Sequence, residues 1–186
     1  MLDLKRYAQL ARQTAREGAV LLKNDRQALP LSKGCRVASF GRSQLNYFKS
    51  GTGSGGLVNA PYVVSILDAM LTSNEITLNQ AVLRTYTEWV QENPFDEGYG
   101  WATEPWSQKE MPLDEELVIR AAKESDVAVI TLARTAGEDR DNTPEPGSYL
   151  LSAEEENMLE LVCRHFDQTV VLLNVGNIID MKWVAK

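Results

Sequence analysis

Two uninterrupted apolar runs, separated by one helix-length segment, constrain this chain more than any other feature. Asp126-Val127-Ala128-Val129-Ile130-Thr131-Leu132-Ala133 and Thr169-Val170-Val171-Leu172-Leu173-Asn174-Val175 show none of the in–out alternation of a half-exposed strand. Strands of this kind must be covered on both faces. Between them, Ser152 and Glu155 form an S-x-x-E capping box ahead of a helix carrying Met158, Leu159, Leu161, Val162 and Phe166. Strand, helix, strand with continuously apolar strands predicts an α/β fold, a three-layer α/β sandwich with a mostly parallel sheet.

The rest of the chain fits that frame. Arg36-Val37-Ala38-Ser39-Phe40-Gly41 reads as a short buried strand ending at a glycine. Leu4, Tyr7, Leu10, Ala11, Thr14, Ala15 and Gly18 follow the i, i+3, i+4 spacing of an amphipathic helix. Further helices are expected from Pro61 through Val64, Leu67, Met70 and Leu71, over residues 81–92, and from Asp114 through Ala122. Residues 93–112 are an irregular excursion with three prolines, two tryptophans and Tyr99. A structureless stretch of about twenty residues inside a compact domain often marks a functional loop. After Gly176 the sequence starts another unit at Met181-Lys182-Trp183-Val184 and stops, so the sheet is expected to be incomplete at its C-terminus.

Composition narrows the function classes. The chain has 186 residues, 44% of them apolar, and a formal net charge of −7. That size suits one domain, read here as a single, partial domain over 1–186, and the acidic balance argues against a broad nucleic-acid-binding face. No secretory-type apolar run and no span long enough for a bilayer occurs, so a cytoplasmic protein without a membrane partner is expected. Cys35 and Cys163 lie far apart in apolar surroundings and read as buried, inert thiols rather than a disulfide or metal site. His165, late in a helix, reads as a partner of the helix dipole. No cofactor and no metal are expected.

In open α/β sheets, functional groups gather outside the carboxyl ends of the strands. Three segments fall there. The loop from Gly41 to Gly56 contains five glycines, including Gly51-Thr52-Gly53-Ser54-Gly55-Gly56, but matches neither a P-loop nor a dinucleotide fingerprint. It fits a flexible turn, and equally a backbone that approaches a polar ligand with Ser54 supplying a hydroxyl. The segment 134–142 carries five charges in nine residues, Arg134, Glu138, Asp139, Arg140 and Asp141. It reads either as a solvated loop with internal ion pairs or as an acid–base site built on Glu138, with Arg134 and Arg140 holding substrate hydroxyls. In the third segment, Asn174 and Asn177 suit turn backbone better than substrate. Within the excursion Tyr99, Trp101 and Trp106 fit sugar stacking and loop packing equally well.

Taken in order, these pieces resemble a known family. Ala15-Arg16-Glu17-Gly18-Ala19-Val20-Leu21-Leu22-Lys23-Asn24 with Leu29-Pro30-Leu31 is similar to the opening of the α/β-sandwich domain of glycoside hydrolase family 3, the β-glucosidase family. Val37-Ala38-Ser39-Phe40-Gly41, Gly53-Ser54-Gly55, Arg134-Thr135-Ala136-Gly137-Glu138-Asp139-Arg140-Asp141, Tyr149-Leu150-Leu151-Ser152 and Leu172 through Asp180 continue the match, which is weakest over 74–112.

The resemblance implies a retaining exo-acting β-glycosidase acting on β-linked glucosides or small oligosaccharides. Its nucleophilic aspartate would come from a (β/α)8 barrel and its acid/base glutamate from this domain. By motif Glu138 falls on the acid/base position and Ser54 on the loop lining the sugar site. The family motif has glycine where this chain has Asp139, which leaves Asp139 or Asp141 as alternative donors. No segment matches the barrel, so the chain reads as the N-terminal part of a member with exchanged domain order, inactive alone. Two readings from other classes compete: a non-catalytic carbohydrate-binding module, and a flavodoxin-like nucleotide or flavin domain.

Overall fold

The computed structural model describes residues 3–56, 58–138 and 140–185. Two compact units divide the chain, Met1–Pro30 and Leu31–Lys186. In the first, helix α1 spans Leu4–Gly18 and is capped by Asp3, whose carboxylate accepts from the Arg6 amide at 3.1 Å. Its apolar stripe of Leu4, Tyr7 and Leu10 is exposed, and α1 buries no residue. Beyond the helix, Asn24 fixes a turn by bonding both the carbonyl and the amide of Leu29, at 2.8 and 3.1 Å.

The second unit is built on four parallel strands, β1 (Cys35–Phe40), β2 (Ile76–Leu78), β3 (Val127–Arg134) and β4 (Thr169–Val175), in the order β2-β1-β3-β4. Among the described residues of this unit, four α-helices accompany the sheet: α2 (Ile66–Leu71), α3 (Gln80–Glu92), α4 (Glu115–Glu124) and α5 (Ala153–His165). Both runs that dominate the sequence are strands, and every residue of β3 is buried. The parallel α/β architecture expected from them is the one observed.

Register explains the core. Pairing Phe40 with Ile130, and Ile130 with Val171, puts Ala38, Phe40, Ala128, Ile130, Leu132, Val171 and Leu173 on one face. That face packs on Val82 and Tyr86 of α3, Leu117, Val118 and Ala121 of α4, and Met158, Leu159 and Val162 of α5. Each large apolar side chain buried there contributes about 1.5–3 kcal/mol. Phe40 meets Phe166 edge-to-face, with ring centroids 5.9 Å apart. The step from β1 to β2 runs opposite to the steps into β3 and β4, and right-handed crossovers then put α2 on the other face from α3–α5.

Three details differ from expectation. β2 is a three-residue edge strand with no periodic signal. α2 begins at Ile66 rather than near Pro61, because Ser65 and Asp68 close a reciprocal capping box there. Cys35 is buried but Cys163 is exposed, since Leu161 and Val162 take the inward positions of α5. No helix among the described residues is long and apolar enough to cross a membrane.

Candidate active site

The sheet reverses its direction of growth between β1 and β3, and the crevice above such a reversal is where two diverging loops can bring polar groups together. At the end of β1 the chain turns at Gly41, with φ 91° and no room for a Cβ against the Thr131 carbonyl. The glycine loop then crosses to the loop after β3. The Thr52 amide donates to the Ala136 carbonyl at 2.6 Å, and Thr52 pairs with Gly137 in an isolated parallel bridge. That backbone seam sets Ser54 opposite Glu138. Ser54 Oγ donates to Glu138 Oε2 at 2.8 Å, across 84 residues of sequence. Both residues are exposed, so a single hydroxyl steadies the carboxylate on a side chain that faces solvent.

The excursion over 93–112 forms a wall of the same crevice. The Thr135 amide donates to the Trp106 carbonyl at 2.8 Å. Arg140 lies over the Trp106 ring, 4.3 Å from its centroid, and donates to the carbonyls of Ala102 and Glu104. Arg140 therefore braces the wall beside Glu138. Trp101 rests against Gly53, its nearest ring atom 3.1 Å from where a Cβ would stand, yet 61% of the residue is exposed. Tyr99 is almost wholly in solvent.

Arg134 does something other than the hydroxyl binding expected of it. It is buried, and all five of its donors are used inside the protein: Nε on the Ser148 carbonyl, Nη1 on Ala133 and Glu155, Nη2 on Leu150 and Glu155. No N–H is left for a sugar. Asp141 is exposed in the same loop as Glu138, and Asp139 lies outside the described residues. His165 bonds Glu115 at 2.9 Å at the end of α5 that precedes β4, at the amino ends of the strands and remote from the crevice.

Two residues that sequence reasoning passed over also build the site. Arg42, directly after Gly41, is buried over the Trp89 ring and donates to the carbonyls of Lys109 and Asn93, at 2.8 and 3.0 Å, so one guanidinium ties both ends of the excursion. Glu110 accepts the Arg42 and Met111 amides at 3.0 and 2.8 Å. Burial pushes its carboxyl up to about 7, a rise that those two amide bonds moderate. The only sequence hint of Arg42 was an arginine abutting a strand-ending glycine. From β4, Asn174 clasps the amide and carbonyl of Phe48, at 2.7 and 3.1 Å, and so bonds backbone. Among the described residues no cluster of three or more His, Cys, Asp or Glu could hold a metal ion.

Known proteins share this fold. A β-glucosidase of Ruminococcus albus is 49% identical over 183 residues, 98% of this chain and 19% of that protein. The crystal structure of a β-glucosidase from Paenibacillus barengoltzii superposes with a TM-score of 0.96 at 49% identity, over 100% of this chain and 20% of that one. β-Glucosidase 3B of Thermotoga neapolitana, solved in complex with glucose, gives 0.83 at 32% identity, over 96% of this chain and 25% of that one. The chain thus spans about a fifth to a quarter of the length of these relatives. The family model described as the glycosyl hydrolase family 3 C-terminal domain matches residues 19–186. On that match and those likenesses, the chain belongs to glycosyl hydrolase family 3 and carries its C-terminal-type domain.

Proposed function

We propose that this domain supplies the acid/base half of a retaining exo-β-glycosidase site of β-glucosidase type, acting on terminal β-linked sugars. The observation that carries the reading is the hydrogen bond between Ser54 Oγ and Glu138 Oε2 above the reversal of the sheet. A carboxyl steadied by one hydroxyl on a solvent-facing side chain suits a group that gives up a proton and then takes one back.

In the first half-reaction, protonated Glu138 donates to the departing glycosidic oxygen as a nucleophile from elsewhere attacks the anomeric carbon. In the second, the Glu138 carboxylate takes a proton from water as that water displaces the enzyme from the sugar. Ser54 orients the carboxylate. Trp101 and the braced 93–112 wall bound the side on which the leaving group exits. The nucleophile would stand about 5–5.5 Å from Glu138, on a barrel domain outside residues 1–186. A chain lacking it has no partner carboxylate for this chemistry and would be inactive alone.

In the full-length enzyme, Glu138→Ala is expected to lose about 10²–10⁴-fold in turnover of an aryl glucoside with an ordinary leaving group. Azide, which needs no base, should restore turnover of an activated aryl glucoside and yield a β-glucosyl azide. Wild-type rates in Glu138→Ala would remove the residue from this role and turn attention to Asp139 and Asp141.

A further inference from the structure

A buried arginine whose five donors are all used needs a reason, because a buried ion pair is seldom the most stabilising way to fill its volume. Arg134 is the last residue of β3 and is 2% exposed. Its fork meets both oxygens of Glu155 at 2.6 Å. The same Glu155 carboxylate accepts the Ser152 amide at 2.8 Å and so closes the capping box of α5. The remaining donors reach the carbonyls of Ser148, Leu150 and Ala133, at 2.8, 3.1 and 2.8 Å.

The loop that carries Glu138 therefore leaves through the Arg134 backbone and returns through the Arg134 side chain. Both of its ends, and the start of α5, are tied to one rigid plane at the end of the central strand. Among the described residues the hydrogen bond to the Glu138 carboxylate comes from Ser54, and that bond depends on where this loop is anchored. Lysine could not substitute: a single ammonium has three donors, no planar fork, and cannot span two carboxylate oxygens and two carbonyls together.

We propose that Arg134, through its fork on Glu155, is a positioning residue that sets the proton-donor geometry of Glu138. The proposal rests on the acid/base reading of Glu138. A proton donor matters in proportion to how badly the leaving group needs a proton. Misplacing it slows glucosides with poor leaving groups, such as alkyl glucosides, and spares a dinitrophenyl glucoside, whose phenolate departs unaided. A general loss of structure would slow both alike.

The experiment measures kcat/KM of full-length wild type, Arg134→Lys, Glu155→Gln and Glu138→Ala on an alkyl and a dinitrophenyl glucoside. Arg134→Lys and Glu155→Gln are each expected to lose about 10–10²-fold on the alkyl glucoside and less than about threefold on the dinitrophenyl one. If either fails to fold, the doubly apolar Arg134→Met/Glu155→Leu chain, which removes the pair without stranding a charge, should show the same selective loss. An equal loss on both substrates, or no loss, overturns the proposal. Glu138→Ala separates the two ideas. A selective loss there that the Arg134 and Glu155 variants lack sinks the positioning role alone, and its absence in Glu138→Ala sinks the acid/base reading with it.

Discussion

Gly137 faces Thr52 so closely that a β-carbon there would overlap the threonine hydroxyl, and the Ala136 carbonyl beside it takes the Thr52 amide. This is the seam that sets Ser54 against Glu138, so one added methyl should act on chemistry as well as on stability. Gly137→Ala is expected to cost about 1–3 kcal/mol of stability, in line with other overpacked sites, and to lower kcat more than it raises KM. Thermal melts and steady-state kinetics on the full-length enzyme check both parts. Thr52→Gly in the same chain, which removes the overlapping atoms, should return part of the lost kcat. A Gly137→Ala enzyme with unchanged kcat would mean that the seam does not set the Glu138 position. The same residue scale explains why Glu138 could be singled out as a candidate along the chain while the bonding of Arg134 could not be foreseen. Glu138 stands in a motif read along the chain, whereas the work of Arg134 depends on Glu155, Ser148 and Leu150, which only the fold brings to it.

At the scale of elements, β3, α5 and β4 were legible because their signals are local: two continuous apolar runs and a capping box of four residues. β2 was not, since three residues at a sheet edge carry no periodicity, and its place comes from pairing with Cys35, Arg36 and Val37. The excursion over 93–112 was visible as an irregular stretch, but not as a wall of the site. Its fixed shape comes from Arg42 and Glu110, which join its ends to the turn after β1. That joint has a pH signature. The Glu110 carboxyl, raised from 4.5 to about 7 by burial, holds its proton more tightly in the fold than in the unfolded chain. Its contribution to stability is thus full below about 4.5 and is lost as pH rises through about 7, a change of about 3 kcal/mol. Asp126, held down to about 2 by its hydrogen bonds from Arg36, acts in the opposite sense, and only as pH falls below its ordinary 3.8. The two windows do not overlap. Melting temperature should therefore decline between about pH 5 and 7.5 in wild type and stay flatter in Glu110→Gln. Parallel slopes in the two chains would show that Glu110 is not the group that titrates.

At the scale of the whole molecule, a retaining site is a matter of which carboxylates can face the crevice. Retention needs a donor and a nucleophile facing each other about 5–5.5 Å apart. The crevice above the sheet reversal presents Glu138 with one oxygen held by Ser54, while the acidic pair further inside, Glu110 and Glu155, is buried and engaged with Arg42 and Arg134. A buried, fully bonded carboxylate cannot reach an anomeric carbon in the crevice. The relatives that share this domain are four to five times its length, and there is room in such a chain for the other half of the site. A 2-deoxy-2-fluoro-β-glucosyl fluoride separates the halves directly, because it traps the nucleophile as a covalent ester and leaves the acid/base residue unlabelled. In the native full-length protein, one sugar per chain should attach to an aspartate on a peptide outside residues 1–186, and the intact mass should lie well above 20.8 kDa. Label on Asp141 or Asp139 instead would put both carboxylates on this one domain, and the domain would then be a complete hydrolase with no need of a barrel.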